Sequence, residues 1–373
     1  MAGSRLFSKF ILMLLITAIV PSRVSAEEKP KFKLGVIIPL SGDLAFFGKG
    51  HLNTAKLLQE DLPKFAGRVE LIYEDSAYDA KKAVSAFRKL VSVDKVDAIF
   101  SFGGPILSVL APLAENEKVP YFTSESEVKD AEGRHFVSLF RNEAGEFGRA
   151  LWDELRVQKK TSLGIVRNQN QFMNTLVAGI SDNAIGSERV EVLIDEPPGS
   201  TDLRSSILKL KKKKFDMLGI FLLPGSHRAF LSQAKSAGIQ GPFVGLEEFL
   251  VPDENAGFES YIDGSLVIAP FVTDEFRQRY RKEFSTELGI EYGVEYYDFL
   301  KLINQTVTSM NNNFSDQELF LKKMRFVGEQ VGISGPFVVK TTSNKAVYYS
   351  FPIAIYKVNQ GKLAPHRFFE RPR

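Results

Sequence analysis

The 373-residue chain contains no cysteine. Disulfide staples and thiolate metal sites are therefore excluded, and so is a lipid carried on an N-terminal cysteine. The single tryptophan, Trp152, reads as a packing residue of a helix, and the four histidines are dispersed along the chain. His51, His135, His227 and His366 accordingly read as surface or capping residues rather than as a metal set. No Gly-x-Ser-x-Gly elbow, P-loop or His-Glu-x-x-His occurs, so the commonest hydrolase, nucleotide and zinc-protease signatures are missing. The chain is expected to be a non-enzyme with no catalytic residue, no metal and no cofactor.

A composition that is 44% hydrophobic and 25% charged is that of an ordinary globular protein, and the length favours two domains over one. Arg5 and Lys9 precede an apolar run from Phe10 to Val20, and Val24-Ser25-Ala26 ends a leader with small or modest side chains. That run is shorter than the ~20 residues a membrane span needs, so residues 1–26 read as a signal peptide cleaved near Ala26, with a retained membrane anchor as the alternative. The leader carries Arg5, Lys9 and Arg23 and no acid, so it accounts for the whole net charge of +3. No nucleic-acid surface is implied. The one dense basic run, Lys209 with Lys211 to Lys214, reads as a solvated helix end.

Short β-rich runs alternate with helix-period segments from Phe32 onward. Strands are expected at 32–40, 69–74, 98–102 and 120–123, with helices at 48–62, 80–91 and 106–116. The rhythm restarts after Phe140-Arg141-Asn142, with strands at 162–166, 190–194, 217–222 and 242–245 between helices. Such alternation indicates parallel sheets covered on both faces. A third block carries a strand at 266–269, helices at 274–288, 295–310 and 316–324, then strands at 332–339 and 346–356. It is too small for its own sheet and is expected to add back onto the other two. Lobe 1 is then 31–141 plus 272–336 and lobe 2 is 142–271 plus 337–373. The chain would cross between them near 141, 271 and 337, making a three-segment hinge.

Leu34-Gly35-Val36-Ile37-Ile38-Pro39-Leu40-Ser41-Gly42, followed by Ala45 and Gly48, resembles the start of leucine/isoleucine/valine-type (type I) periplasmic binding proteins. Glu74-Asp75 with Asp79 and Ala83, Val119 to Thr123, Phe140-Arg141, Ala234 to Gly238 and Gly332 to Pro336 resemble later family segments in the same order. The resemblance implies an α/β fold of two Rossmann-like lobes closing on a ligand, usually for an ABC permease in the inner membrane. With the leader removed, the protein is expected to be periplasmic or otherwise secreted, and a monomer. A sensory receptor reporting ligand occupancy to a partner is the alternative role, and an exported hydrolase a lesser one.

Ligands of open α/β sheets sit beyond the carboxyl ends of the strands. In lobe 1 the candidates are Phe47, Phe102, Gly103, Gly104 and Ser124-Glu125-Ser126. Gly103-Gly104 precedes a helix start near Pro105, whose free N–H groups could hold a carboxylate. Relatives that bind amino acids carry a hydroxyl residue there, and this chain does not. In lobe 2, Phe172 and Leu223 stand where the resemblance implies polar aromatic residues, and Glu247 stands where it implies the partner of a ligand ammonium. Tyr292 would add an aromatic wall, with Tyr296 or Tyr297 as substitutes. The expected ligand is amino-acid-like, amine-bearing or partly aromatic.

Overall fold

The computed structural model describes residues 31–246, 249, 252–285, 293–311 and 313–369. The first strand, β1 (Phe32–Ile38), buries nearly every side chain, as a strand covered on both faces must. Next come α1 (Ala45–Asp61), β2 (Val69–Asp75), α2 (Ala80–Lys89), β3 (Ala98–Ser101), α3 (Gly104–Glu117), β4 (Tyr121–Thr123) and β5 (Val137–Leu139). The second block holds α4 (Ala144–Val157), β6 (Ser162–Asn168), α5 (Gln171–Asp182), β7 (Arg189–Glu196) and α6 (Arg204–Leu210). It continues through β8 (Met217–Phe221), α7 (Ser226–Ser236), β9 (Phe243–Gly245), α8 (Pro252–Asn255) and β10 (Leu266–Pro270). Helices α9 (Asp274–Phe284), α10 (Val294–Ser309) and α11 (Gln317–Arg325) follow. The last strands are β11 (Gln330–Gly332), β12 (Gly335–Thr341), β13 (Val347–Ser350), β14 (Ile353–Asn359) and β15 (Lys362–Phe369).

Helix starts are written locally. The Asp79, Asn170 and Asp316 side chains accept from the N–H groups of Lys82, Met173 and Leu319 respectively, so each satisfies an amide that the first turn leaves open. Two sheets result, ordered β11-β12-β13-β5-β4-β3-β1-β2 and β15-β14-β10-β9-β8-β6-β7. Pairing from β13 through β5, β4, β3 and β1 to β2 is parallel, as it is from β10 to β7. Each sheet carries an apolar cluster on both faces.

The third block differs from its reading in one instructive way. Ala346 to Tyr356 is not one strand: β13 joins the first sheet beside β5, whereas β14 joins the second beside β10. The chain crosses at Phe351-Pro352, because proline has no N–H to continue a ladder. Residues 337–350, expected in lobe 2, therefore belong to the first sheet. Gly332 to Val339 is likewise a β11–β12 hairpin rather than a single strand. Strands β5 and β15 have no counterpart in the sequence reading.

The three crossings are tied together. Asn142 donates to the Phe351 carbonyl at 2.8 Å, and Phe271 N–H donates to the Pro352 carbonyl at 2.9 Å. Glu146, at the start of α4, accepts from Asn142, Ser350 and Lys340 at 2.6–2.9 Å. Among the described residues no helix is long and apolar enough to cross a membrane, and no group of acidic or histidine side chains has the arrangement to hold a metal. His51 and His227, expected at the surface or at caps, are instead fully buried.

Candidate functional site

The carboxyl ends of strands from both sheets converge on one cavity of about 180 Å³. Leu44 and Phe47 come from the β1–α1 connection, Tyr78 from the turn after β2, Phe102 from the end of β3, and Ser124 and Glu125 from the end of β4. Arg141 follows β5. The opposite wall is Asn170, Phe172 and Met173 after β6, Pro198 after β7 and Leu223 after β8.

Two loops owe their shape to Asp75. Its carboxylate accepts from the N–H of Leu40 and of Ala77, each at 2.8 Å, and from the Ser41 hydroxyl. Burial opposes its charge, but these donors prevail and hold its pKa below the usual range. Ala77 and Tyr78 both take left-handed backbone conformations, φ 44° and 59°. That costs free energy for residues with a Cβ, and the Asp75 contacts hold the turn that brings Tyr78 to the cavity wall. Gly103 has φ 120°, and a Cβ there would lie 2.8 Å from the Tyr78 ring. Only glycine fits.

The aromatic wall is continuous. Phe47 packs on Phe102 at 4.8 Å between ring centroids, and His51 lies behind Phe102 at 5.4 Å. Burial drives the His51 pKa down to about 4, so the ring is neutral, and its Nδ1–H donates to the Phe47 carbonyl at 2.7 Å. The Arg141 guanidinium sits over the rings of Phe147 and Phe172, 5.7 and 5.8 Å from their centroids. It is paired with Glu295 of α10 at 3.2 Å, both side chains being almost wholly buried. Burial pushes the Glu295 pKa up and Arg141 pulls it back.

Glu125 is the second buried acid. Burial raises its pKa to about 7, against the opposing pull of Arg141 and of the backbone N–H groups of Gly103 and Ser126. The hydroxyls of its chain neighbours Ser124 and Ser126 are buried with no hydrogen-bond partner among the described residues.

Outside the cavity but beside its mouth, the halves touch through polar side chains. Gln171 of α5 donates to Ser108 of α3 and to Asp130, each at 3.0 Å. Thr175 of α5 donates to Glu127.

Of the residues singled out in the sequence, Phe47, Phe102, Ser124, Glu125, Phe172 and Leu223 line the cavity. Gly103, Gly104 and Ser126 stand just behind it. The glycine amides are not open to a ligand as expected: that of Gly103 faces Glu125 and that of Gly104 faces the Tyr78 hydroxyl. Glu247 and Tyr292 lie outside the described residues. Tyr296 and Tyr297, the substitutes for Tyr292, are core residues of α10. Sequence reasoning missed Leu44, Tyr78, Asn170, Met173 and Pro198 as lining residues, and it read Arg141 as a crossing and a family segment but not as a site residue. The Asp75-Ser76-Ala77-Tyr78 turn offered one signal, an acid positioned to organise a loop.

A sequence profile of the family described as periplasmic binding protein matches residues 31–362. A Leu/Ile/Val-binding protein homolog 8 from Brucella abortus (strain 2308) is 24% identical over 222 residues, 55% of this chain and 55% of that protein. The match thus spans little more than half the length of the relative. A leucine binding protein, LivK, from Thermotoga maritima superposes with a TM-score of 0.78 at 18% identity, over 90% of this chain and 98% of the other. A solute binding protein of an ABC transporter from R. palustris, solved in complex with benzoate, gives 0.75 at 15% identity, over 91% and 96%. These superpositions establish the two-sheet type I fold.

Proposed function

The chain belongs to the periplasmic binding protein family, and from that premise we propose that it is exported, captures one small ring-sized ligand between its two sheets, and delivers it to an ABC permease. The observation that carries this reading is the cavity itself. Its walls come from strand ends of both halves, so a ligand there touches both at once and stabilises the closed form. At about 180 Å³ it is comparable to the ~150 Å³ apolar cavity that accepts benzene, which leaves room for one ring and a small head group. Three phenylalanines and Tyr78 supply ring faces, while Ser124, Glu125 and Arg141 supply polar contacts. An apolar pocket with a few convergent polar groups suits such a ligand. Related solute binding proteins solved with benzoate and with 4-hydroxybenzoate support the ring-sized reading, and those named for leucine and isoleucine support an amino-acid-like one.

The test is a thermal-shift screen of the full chain with benzylamine, benzyl alcohol, benzoate and leucine. A ligand at a hundredfold excess over its Kd adds about 2.7 kcal/mol to stability. The reading expects a stabilisation of that order from at least one ring compound, with the compound recovered unchanged. Conversion of the compound into a product, or no stabilisation by any ring compound, contradicts it.

A further inference from the structure

Among the described residues, Glu125 of the cavity lining and Glu295 behind it share one buried cation, Arg141. Among the described residues Arg141 is the only cationic side chain in the lining, and Arg141 is ion-paired with Glu295. Glu125 is 4% exposed and forms no ion pair among the described residues. Each neighbouring element presents a different group to it. The turn after β2 gives Tyr78, and the end of β3 gives the Gly103 amide. Its own loop gives the Ser126 amide and the like charge of Glu127, and the end of β5 gives the already paired Arg141. His51 of α1 is neutral. The described lining residues of the second sheet are Asn170, Phe172, Met173, Pro198 and Leu223, none of them ionisable. A buried carboxylate without a counter-charge of its own is costly, and the described residues offer Glu125 only the arginine already paired with Glu295.

Resting on the capture reading above, we infer that Glu125 reads the ligand's head group: its carboxylate receives the ammonium of a ring-bearing amine, so that the cavity prefers a cation-headed ligand to a carboxylate-headed one of the same size. The Ser124 hydroxyl, in the same lining and with no hydrogen-bond partner among the described residues, can rotate to accept a remaining N–H group. A carboxylate-headed ligand would instead place a third acid around one arginine. Burial raises the pKa of Glu125, and Arg141 and the two backbone amides offset only part of that rise. This assignment differs from the acid suggested by family likeness, Glu247, because it puts the head-group contact on the first sheet.

The experiment is titration calorimetry of the full chain with benzylamine, benzyl alcohol and benzoate at pH 8. Benzylamine is expected to bind at least about tenfold more tightly than benzoate, a gap of about 1.4 kcal/mol. Glu125→Gln, which keeps shape and removes charge, should erase that preference, so that benzylamine no longer binds more tightly than benzoate. On the unaltered chain, lowering the pH from 8 to 6 protonates Glu125 while benzylamine stays cationic. Its affinity should fall about tenfold, following the ionised fraction, and the fall should be absent in Glu125→Gln. Binding of benzyl alcohol or benzoate with no advantage for benzylamine overturns the inference and leaves the capture reading standing. So does a benzylamine preference that survives both Glu125→Gln and acid. Binding of none of the three overturns both.

Discussion

Gln171 offers a test of closure that leaves the cavity wall untouched. Its side-chain amide bridges to Ser108 and Asp130, each at 3.0 Å, yet it is not among the residues lining the cavity. The bonds join helices of different sheets, so under the proposed closure on a ligand they form in the closed state and are replaced by water in the open one. A hydrogen bond to a charged group contributes roughly 1.5–3 kcal/mol and one to a neutral group about 0.5–1.5. Gln171, Ser108 and Asp130 are only half-buried, so the lower end applies, about 1–2 kcal/mol in total. Gln171→Ala should remove that much from the closed state alone. If ligand binds the closed form, its Kd rises by about 5–30-fold. The unfolding midpoint in urea, measured without ligand, should barely move, since each sheet keeps both apolar clusters. Calorimetric titration of the variant with benzylamine reads the first effect and denaturant unfolding the second. A Kd within twofold of the unaltered chain, at unchanged stability, would refute the view that this bridge holds the cleft shut.

Two further outcomes follow from the buried charges. Arg141→Met leaves Glu295 without its counter-ion and should cost about 3–5 kcal/mol in urea unfolding, most of it recovered in the Arg141→Met, Glu295→Leu double variant; a single variant as stable as the parent refutes this. Glu125 has a folded pKa of about 7, above its ordinary 4.5, so the stability it contributes is complete below pH 4.5 and is lost as pH rises through 7. Each pH unit between those two values changes stability by about 1.4 kcal/mol. Ligand-free Glu125→Gln should therefore gain about 2–3 kcal/mol on the parent between pH 5 and pH 8, and parallel pH profiles of the two proteins contradict this.

Much of the scaffold is written in local pattern. Alternating strands and helices gave the two sheets, because apolar runs such as Leu34 to Ile38 have only one comfortable environment. The third crossing was misplaced because Ala346 to Tyr356 is apolar almost throughout, so composition cannot show that it changes sheet. Only Pro352 marks the break. Strand β5 escaped notice because it has three residues, Val137–Leu139, and draws its support from β4 and β13.

The candidate site was legible where a strand end and a side chain coincide, as at Phe102, Ser124 and Glu125. It was not legible where position depends on distant partners. Arg141 reaches the cavity floor held by Glu295, 154 residues away. Tyr78 reaches the wall through a strained turn that Asp75 stabilises. The pairing leaves no mark in the order of residues, and the turn leaves only the acid at its start.

The central claim is that one ligand occupies the cavity between the sheets, and calorimetry of the full chain beside a cavity-filled variant tests it most directly. Leu223→Trp puts a bulkier ring into the space from the second sheet. The account predicts one site per chain for benzylamine in the parent and at least about tenfold weaker binding in the variant at equal helix content. Equal affinity in the two proteins would contradict it.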